Sequence, residues 1–391
     1  MKLEGIRVID LSLFLPGPHL TQLMADNGAE VIKVEPINGG EPNREIGLMR
    51  DDISVFFANT HRGKKSIQIN LKSAAGHALF MRLVQSADVM VEAFRPGVVK
   101  RLGVDYDSIQ AVVPEIVYCS ISAFGQSGPY VRKPAHDLAT QAYAGILSVN
   151  NGSDGNPAIP AMPSADMLSA VYGLSGVLMA LLRRRDTGRG DYIDVAMMDS
   201  LVASMPNNLG PVFAEKRAPV PQQERSWGGN AMYGIYATKD DRHVAIGGAE
   251  MHFAENFLTK LGRPDLLALC APPPGSTQEP VREFFRQTFK TRTMREWIDW
   301  CADVDMAIAP VNNLREAMDD PQVRAREMLV TDGRGWEFVG MPIKFQDEPG
   351  EQSFSLPNIG EHRDELLREL GFSDADITAA ASAGAFTRSE G

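Results

Sequence analysis

Residues 6–35 read IRVIDLSLFLPGPHLTQLMADNGAEVIKVE, and this stretch decides the fold class. Ile6–Leu11 is a short apolar run that predicts a β-strand, and Ala29–Glu35 predicts a second strand. Between them, Pro16-Gly17-Pro18 breaks the first strand, and His19–Asn27 has helical periodicity with Gly28 placed as its C-cap. A strand, a helix and a strand in this order predict two parallel strands joined by a right-handed crossover.

The same alternation continues over the first 120 residues and again near residue 191. Further strands are predicted at Ser66–Leu71, Val89–Glu92, Glu115–Ser120 and Asp191–Met197, with helices at Ala74–Gln85 and Tyr106–Val112. Such alternation indicates an α/β fold with a parallel sheet. In these sheets ligands bind beyond the carboxyl ends of the strands, so we expect the site there.

The chain is long enough for two domains, and a change in composition suggests where they meet. Residues 213–230 are rich in Pro, Gln and Arg and end in Gly228-Gly229, which is typical of an interdomain linker. We therefore expect a large domain over residues 1–212 and a smaller α/β domain over residues 231–315, followed by a C-terminal segment, residues 316–391. Tyr233–Thr238 and His243–Gly247 predict a hairpin at the start of the small domain.

Composition narrows the class of partner. Hydrophobic residues make up 44% of the chain and charged residues 23%, as in globular proteins, and the formal net charge is -11. This acidic balance argues against nucleic acid as a partner, but it allows a small anionic ligand in a local basic pocket.

Cysteine usage and hydropathy indicate the cellular compartment of the protein. The three cysteines form no CxxC pair, so we expect no disulfide framework, no cysteine zinc site and a reducing, cytoplasmic environment. The N-terminal residues have no apolar signal-peptide region. The longest apolar stretch, Ala170–Leu182, is shorter than the roughly 20 residues of a membrane span. We therefore expect a buried helix and no membrane association.

The segment AMPSADMLSAVYGLSGVLMALL, residues 161–182, is the most suggestive for chemistry. Pro163 and Ser164 are typical of a helix entry, with Ser164 as a possible N-cap, and Asp166 lies in the predicted first turn. The helix dipole would keep a carboxylate there ionised. From spacing alone, however, Asp166 is no more than a carboxylate at a helix N-terminus.

Several motifs of other enzyme classes are missing from the sequence. It contains no GxGxxG, GxSxG or HExxH pattern, and its seven histidines are scattered along the chain. The sequence therefore predicts no metal site.

Seven segments together resemble the class III CoA-transferases, the L-carnitine dehydratase/bile acid-inducible protein F family. This family includes formyl-CoA:oxalate CoA-transferase and, as a branch, the α-methylacyl-CoA racemases. The resemblance covers nearly the whole chain, in order. The segments are PGPHLTQLMADNGAEVIKVE (16–35), HRGKKSIQINLK (61–72), ADVMVEAFRPGVVKRLGV (87–104), SISAFGQSGPY (120–130), PAHDLATQAYAG (134–145), the Asp166 segment (161–182) and TGRGDYIDVAMMDS (187–200).

The resemblance implies an architecture that the strand and helix pattern does not show. It implies an interlocked, ring-like homodimer, in which each subunit has a Rossmann-like, CoA-binding large domain and a smaller domain. The C-terminal segment would return to the large domain.

The resemblance also implies which residues bind coenzyme A, the carrier part of the acyl-CoA substrate. Positions that match the family pattern are Ile69, Lys72, Phe94, Arg101, Lys133 and Met197. The sequence departs from some transferases at Ala93, where they have Asn, and at Pro36 and Ile37, where they have Arg. By themselves, without the resemblance, Lys72 and Arg101 are more typical of solvated helix ends.

The leading hypothesis is transfer of CoA from an acyl-CoA to a carboxylic acid. In this interpretation Asp166 attacks the thioester and forms a mixed anhydride, and the exchange continues through an enzyme-bound thioester. Gly228 and Gly229 would stabilise the oxyanion, and His136 would lie beside the pantetheine or the acyl group.

The racemase branch provides the second hypothesis. Its members use a His and an Asp on opposite faces of the α-carbon, with a Glu in support, and His136, Asp166 and Glu250 occupy those positions. Against it, Met167 follows Asp166 where racemases have an aromatic residue, and Gln141–Gly145 is closer to transferases. A third hypothesis is a catalytically silent CoA-binding dimer, which the presence of Asp166 disfavours.

Overall fold

The computed structural model describes residues 1–152 and 154–386. Their contacts divide into two compact units. The first unit comprises residues 1–144, 161–204 and 321–386, and the second comprises residues 145–160, without residue 153, and 205–320.

The strands of the described residues are short, and most of them belong to the first unit. In chain order they are β1 (Arg7–Asp10), β2 (Glu30–Glu35), β3 (Met49–Arg50), β4 (Ile53–Ser54), β5 (Lys65–Gln68), β6 (Val89–Glu92), β7 (Val117–Ser122), β8 (Asp191–Ala196), β9 (Tyr233–Ala237), β10 (His243–Gly247), β11 (Ile308–Pro310), β12 (Leu329–Thr331) and β13 (Glu337–Val339).

The helices connect the strands and cover them. In chain order they are α1 (Pro16–Ala25), α2 (Val55–His61), α3 (Ala74–Val84), α4 (Val98–Leu102), α5 (Tyr106–Gln110), α6 (Asp137–Tyr143), α7 (Ser164–Thr187), α8 (Met197–Ala203), α9 (Gly210–Ala214), α10 (Met251–Lys260), α11 (Leu267–Cys270), α12 (Glu279–Phe289), α13 (Met294–Trp300), α14 (Leu314–Asp319), α15 (Pro321–Ala325), α16 (Arg363–Glu369) and α17 (Asp374–Ser382).

A parallel sheet forms the centre of the first unit. Its six strands have the order β5-β2-β1-β6-β7-β8, and every neighbouring pair is parallel, which confirms the predicted α/β fold. Within this sheet the chain passes from β1 to β2 and β5 on one side, and then crosses to β6 on the other side of β1. The carboxyl ends of β1 and β6 therefore open a crevice at the topological switch point, where open sheets bind ligands.

The first crossover helix differs from its prediction at both ends. It was expected to start at His19, but α1 starts at Pro16, because proline at the first helical position has a compatible φ and no N–H that needs a partner. Its C-cap is Asp26 instead of Gly28. Gly28 has φ +102°, so it makes the following turn toward β2.

Helix α7 is longer and more exposed than predicted. It spans 24 residues, and its most apolar window has a mean hydropathy of 1.6, with one third of the window buried. By length and composition alone it could cross a membrane, although core helices of soluble proteins pass the same test, and α7 packs on α1, β7 and β8. The expectation of a buried helix is therefore only partly correct, since one face of α7 is exposed.

The C-terminal helices complete the core of the first unit. Leu366 and Leu367 of α16 and Ile377 of α17 are buried in the same apolar cluster as Ile32 of β2 and Phe80 of α3. Residues more than 300 positions apart therefore share one core.

A cluster of buried charges lies at the carboxyl end of β1. Asp10 is fully buried between two lysine ammonium groups, Lys33 at 3.5 Å and Lys64 at 3.1 Å, and Lys33 also pairs with the buried Glu41 at 3.0 Å. Burial opposes the ionisation of Asp10, but Lys33 and Lys64 outweigh it and hold the pKa of this carboxyl well below its usual value. Buried charges of this kind fix a local geometry because an unpaired member would be costly.

The second unit is built on an antiparallel sheet with the order β11-β10-β9. The predicted hairpin is present, with Val244 opposite Tyr236. The core of the second unit is rich in buried aromatic side chains, among them Phe257, Phe285 and Trp297.

Candidate active site

A cavity of about 400 Å³ lies at the carboxyl edge of the parallel sheet. Its walls come from the segments after β1, β6 and β7, and from the first turns of α7 and α8. The lining residues include Leu13, Phe14, Phe94, Arg95, Ser122, Lys133, His136, Asp166 and Met197. The cavity therefore lies at the switch point between β1 and β6, as the strand order requires.

Asp166 reaches this cavity from the first turn of α7. The predicted cap, Ser164, is itself the first helical residue, and no side chain of the N-cap residue Pro163 bonds the helix. Instead, the Oδ1 atom of Asp137 accepts the backbone N–H groups of Ala165 at 2.8 Å and Asp166 at 3.3 Å. A carboxylate from α6 thus caps α7 and fixes the turn that carries Asp166.

The electrostatics of Asp166 differ from the expectation that the helix dipole keeps it ionised. Burial, and then the negative charge of Asp137, raise the pKa of Asp166 to about 7. Loss of hydration and a like charge both disfavour the ionised form. Asp166 therefore changes its charge near neutral pH, in the range that suits a group taking part in catalysis.

His136 lines the same cavity as Asp166. It is the residue before α6 and is exposed, and its ring meets the ring of Phe14 edge-on, with the centroids 6.0 Å apart. The structure therefore brings together the two side chains on which both leading hypotheses depend.

Lys133 and Met197, two of the residues expected to bind CoA, also line this cavity. The ammonium group of Lys133 lies 4.4 Å from the centroid of the Tyr143 ring, and the residue is exposed. Met197 is buried at the start of α8. They place a cation and a soft apolar group in the cavity of Asp166.

A second cavity, of about 650 Å³, adjoins the first and shares Leu13 and Phe94 with it. The other four residues that the resemblance implies line it: Ile69 is buried, Phe94 is partly buried, and Lys72 and Arg101 are exposed. None of the ion pairs among the described residues involves Lys72 or Arg101. On a chain of net charge -11, these two cations make the second cavity locally basic.

Glu92 supports the segment between the two cavities. It is buried at the end of β6 and accepts the backbone N–H of Phe94 at 2.8 Å and the hydroxyl of Ser120. Burial raises the pKa of Glu92 to about 7, although both hydrogen bonds act in the other direction.

Gly228, Gly229 and Glu250 belong to the second unit. Gly228 has φ +79°, which favours glycine, and the N–H of Gly229 donates to the carbonyl of Glu224 at 3.0 Å. Glu250 is exposed at the N-terminus of α10.

Three residues of the first cavity and its surroundings have features that the sequence reasoning did not identify. Asp137 caps the helix of Asp166, Arg95 provides a further cation, and the Oγ atom of Ser122 is buried without a hydrogen-bond partner among the described residues. Arg95 and Ser122 lie at or just after the ends of predicted strands, so the rule that places ligands there could have found them. The role of Asp137 has no sequence signal, because it depends on how α6 meets α7.

The model of CoA-transferase family III matches residues 3–363, which is almost the whole chain. The chain belongs to CoA-transferase family III. This membership confirms the resemblance of the seven segments and places the protein in a family of enzymes.

Two curated relatives and one solved structure show how closely the family III chain follows other members. It is 31% identical to the acetyl-CoA:oxalate CoA-transferase of Acetobacter aceti over 95% of this chain and 96% of that protein. It is 31% identical to the succinate–glutarate CoA-transferase of Agrobacterium fabrum, over 94% and 95%. The crystal structure of a CAIB/BAIF family protein from Brucella suis superposes with a TM-score of 0.82 at 28% identity, covering 94% of this chain and 99% of that one.

Proposed function

We propose that the protein transfers CoA from an acyl-CoA thioester to a free carboxylic acid, with Asp166 as the nucleophile. The observation that carries the proposal is the position of Asp166 in the wall of a switch-point cavity that adjoins a basic one. The relatives named for acetyl-CoA and oxalate, and for succinate and glutarate, support this reaction class.

The proposed reaction conserves the energy of the thioester. The Asp166 carboxylate attacks the acyl carbonyl, the C–S bond breaks, and a mixed anhydride and CoA thiolate result. The thiolate attacks the aspartyl carbonyl of the anhydride, so that the donor acid leaves and an aspartyl-CoA thioester forms. The acceptor carboxylate then attacks the aspartyl-CoA thioester, which releases the CoA thiolate and forms a second mixed anhydride. The thiolate attacks the acceptor acyl carbonyl of this anhydride. This last step releases the product acyl-CoA and the free Asp166 carboxylate.

The charges around the site support these steps. Ile69 and Phe94 offer apolar contacts for the adenine and the pantetheine, while Lys72 and Arg101 offer cations for the phosphates. Lys133 would counter the charge of the thiolate or of an acid in the first cavity. Each tetrahedral step also needs oxyanion donors, for which we propose the loop at Gly228 and Gly229; the N–H of Gly229 would exchange the carbonyl of Glu224 for the oxyanion.

We further propose that the protein is an interlocked homodimer of cytoplasmic location. Helix α7 leaves a row of large apolar side chains exposed, including Val171, Tyr172, Met179 and Leu182. Patches of this kind mark interfaces, and a second copy would cover this one. Light scattering on the eluting protein should give twice the 42.7 kDa chain mass, and an active monomer would contradict the dimer.

Racemisation of a 2-methylacyl-CoA is the second candidate, because His136 and Asp166 line one cavity. Two bases there would remove the α-proton on one face and return it on the other, with Glu250 in support. His136→Ala should then abolish exchange of the α-proton with heavy water. In a transferase the same substitution should lower turnover only modestly.

The experiment that tests the proposed function compares Asp166→Ala with Asp186→Ala, a control at the exposed far end of the same helix. We expect Asp166→Ala to lower CoA transfer by more than about a thousandfold, because no other group forms the anhydride. It should leave the affinity for CoA nearly unchanged, as calorimetry would show. Near-normal transfer by Asp166→Ala would rule out the proposed mechanism.

A further inference from the structure

Phe14 lines the cavity of Asp166 in a backbone conformation that an aromatic residue rarely adopts. Its φ is +64°, in the left-handed region, where a bulky side chain is strained. Strain of this kind persists only where the surroundings impose it, and it is concentrated at functional sites.

Buried polar side chains hold Phe14 in place on both sides of its backbone. Its N–H donates to the Oε1 atom of Glu41 at 2.9 Å, and its carbonyl accepts from the side-chain amide of Asn43. Glu41 and Asn43 are both fully buried. The other carboxylate oxygen of Glu41 lies 3.0 Å from the ammonium of Lys33, which also donates to the carbonyl of Ser12.

The side chain of Phe14 is not part of the core that this clamp belongs to. It is 39% exposed and lines the cavity, where its ring meets His136 edge-on at 6.0 Å. The buried charges therefore fix an aromatic wall in the space of about 400 Å³ that Asp166 also lines. A ring carried on a fixed backbone in this place limits the size of whatever group reaches the carboxylate.

We propose that Phe14 determines the acyl specificity of the site, admitting short unbranched acyl groups and excluding branched and aromatic ones. Asn43 acts as a positioning residue, because it holds the carbonyl of Phe14 and does not line the cavity. The inference rests on the proposed function for the placement of the acyl group beside Asp166.

The test measures binding and needs no turnover. Calorimetry on the full chain compares two unreactive thioethers, S-ethyl-CoA and S-(2-phenylethyl)-CoA. Phe14→Gly removes the ring and suits a positive φ, so the variant should fold. We expect it to shift the ratio of the two affinities toward the bulky thioether by about tenfold or more. Phe14→Ala should act in the same direction.

Phe345→Ala is the matched control, since Phe345 is 38% exposed on the same unit and lines neither cavity. It should leave the ratio unchanged. A ratio within about twofold of wild type in Phe14→Gly, or equal weakening of both thioethers, would overturn the inference. Asn43→Ala should shift the ratio in the same direction by a smaller factor. A lower melting temperature of Asn43→Ala without a shift in the affinity ratio would show that Asn43 stabilises the fold and does not position Phe14 for specificity.

The outcomes for the two proposals are separable. If Phe14→Gly shifts the ratio while Asp166→Ala keeps its transfer activity, the proposed function fails and the size limit stands. If Asp166→Ala is inactive and the ratio does not move, only the size limit fails.

Discussion

Asp137→Asn tests the electrostatic coupling at the centre of the site. The charge of Asp137 is one of two causes that raise the pKa of Asp166 to about 7, and burial is the larger one. Since the ordinary value is 3.8, Asp137 accounts for less than half of the difference. Its removal should lower the pKa of Asp166 by about one unit, which corresponds to about 1.4 kcal/mol.

The substitution removes the charge and retains the hydrogen bonds. The side-chain carbonyl oxygen of the introduced asparagine would still accept the N–H groups of Ala165 and Asp166. The Oδ2 atom of Asp137 accepts from the Nε2 atom of Gln141 at 2.6 Å, and the Oε1 atom of Gln141 is buried without a partner among the described residues. The Gln141 amide can therefore rotate and accept from the new amide.

The assay is the pH dependence of kcat/KM for the acyl-CoA. Asp166 must be ionised to attack, so kcat/KM should rise with pH through about 7 in the wild type. In Asp137→Asn the midpoint of this limb should lie about one pH unit lower, and activity at about pH 6, relative to the plateau, should be several-fold higher. An unchanged midpoint in a variant of wild-type melting temperature would refute the coupling.

Four further substitutions test the supports of the site. Asp137→Ala should shift the pH midpoint of kcat/KM in the same direction as Asp137→Asn. It should also lower the free energy of unfolding by about 1 kcal/mol, because α7 loses its cap. Equal stability of Asp137→Ala and wild type in a denaturant titration would exclude the capping role. Lys72→Ala and Arg101→Ala should each raise the KM for acyl-CoA by up to about tenfold with little change in kcat, whereas the neighbouring Lys100→Ala should not. Glu92 holds its proton more tightly in the folded protein, with a pKa of about 7 against an ordinary 4.5, so its contribution to stability is lost as pH rises between these values. We therefore compare the unfolding free energies of Glu92→Gln and wild type. The value for Glu92→Gln minus that for wild type should grow by up to about 3 kcal/mol from about pH 4.5 to about pH 7. A difference that does not change with pH would show that Glu92 titrates normally.

The sequence predicted the parts of the fold that depend on local pattern. The strand at Val89–Glu92 has its predicted bounds, and the helix predicted at Ala74–Gln85 ends one residue earlier, because alternating apolar runs and caps are local signals. Helix α1 was predicted three residues late, since Pro16 was read as a break and not as a helix start.

The features that the sequence could not predict depend on contacts between distant segments. Between α6 and α7, residues 145–152 and 154–160 belong to the second unit. Residues such as Asn150, Gly152 and Gly155 are typical of a loop, but a loop pattern does not indicate which unit the segment joins. The cap of α7 comes from Asp137, 29 positions before Asp166, and the raised pKa of Asp166 follows from that contact and from burial. The clamp on Phe14 likewise joins side chains that are far apart in the sequence.

The most direct test of the account is mass spectrometry of the protein after incubation with an acyl-CoA, with and without hydroxylamine. Covalent catalysis at Asp166 predicts a CoA-sized increase on the peptide that contains this residue, its conversion to a hydroxamate, and neither change in Asp166→Ala. No adduct, together with deuterium from heavy water at the α-carbon of the acyl group, would contradict the account and favour racemisation by His136 and Asp166.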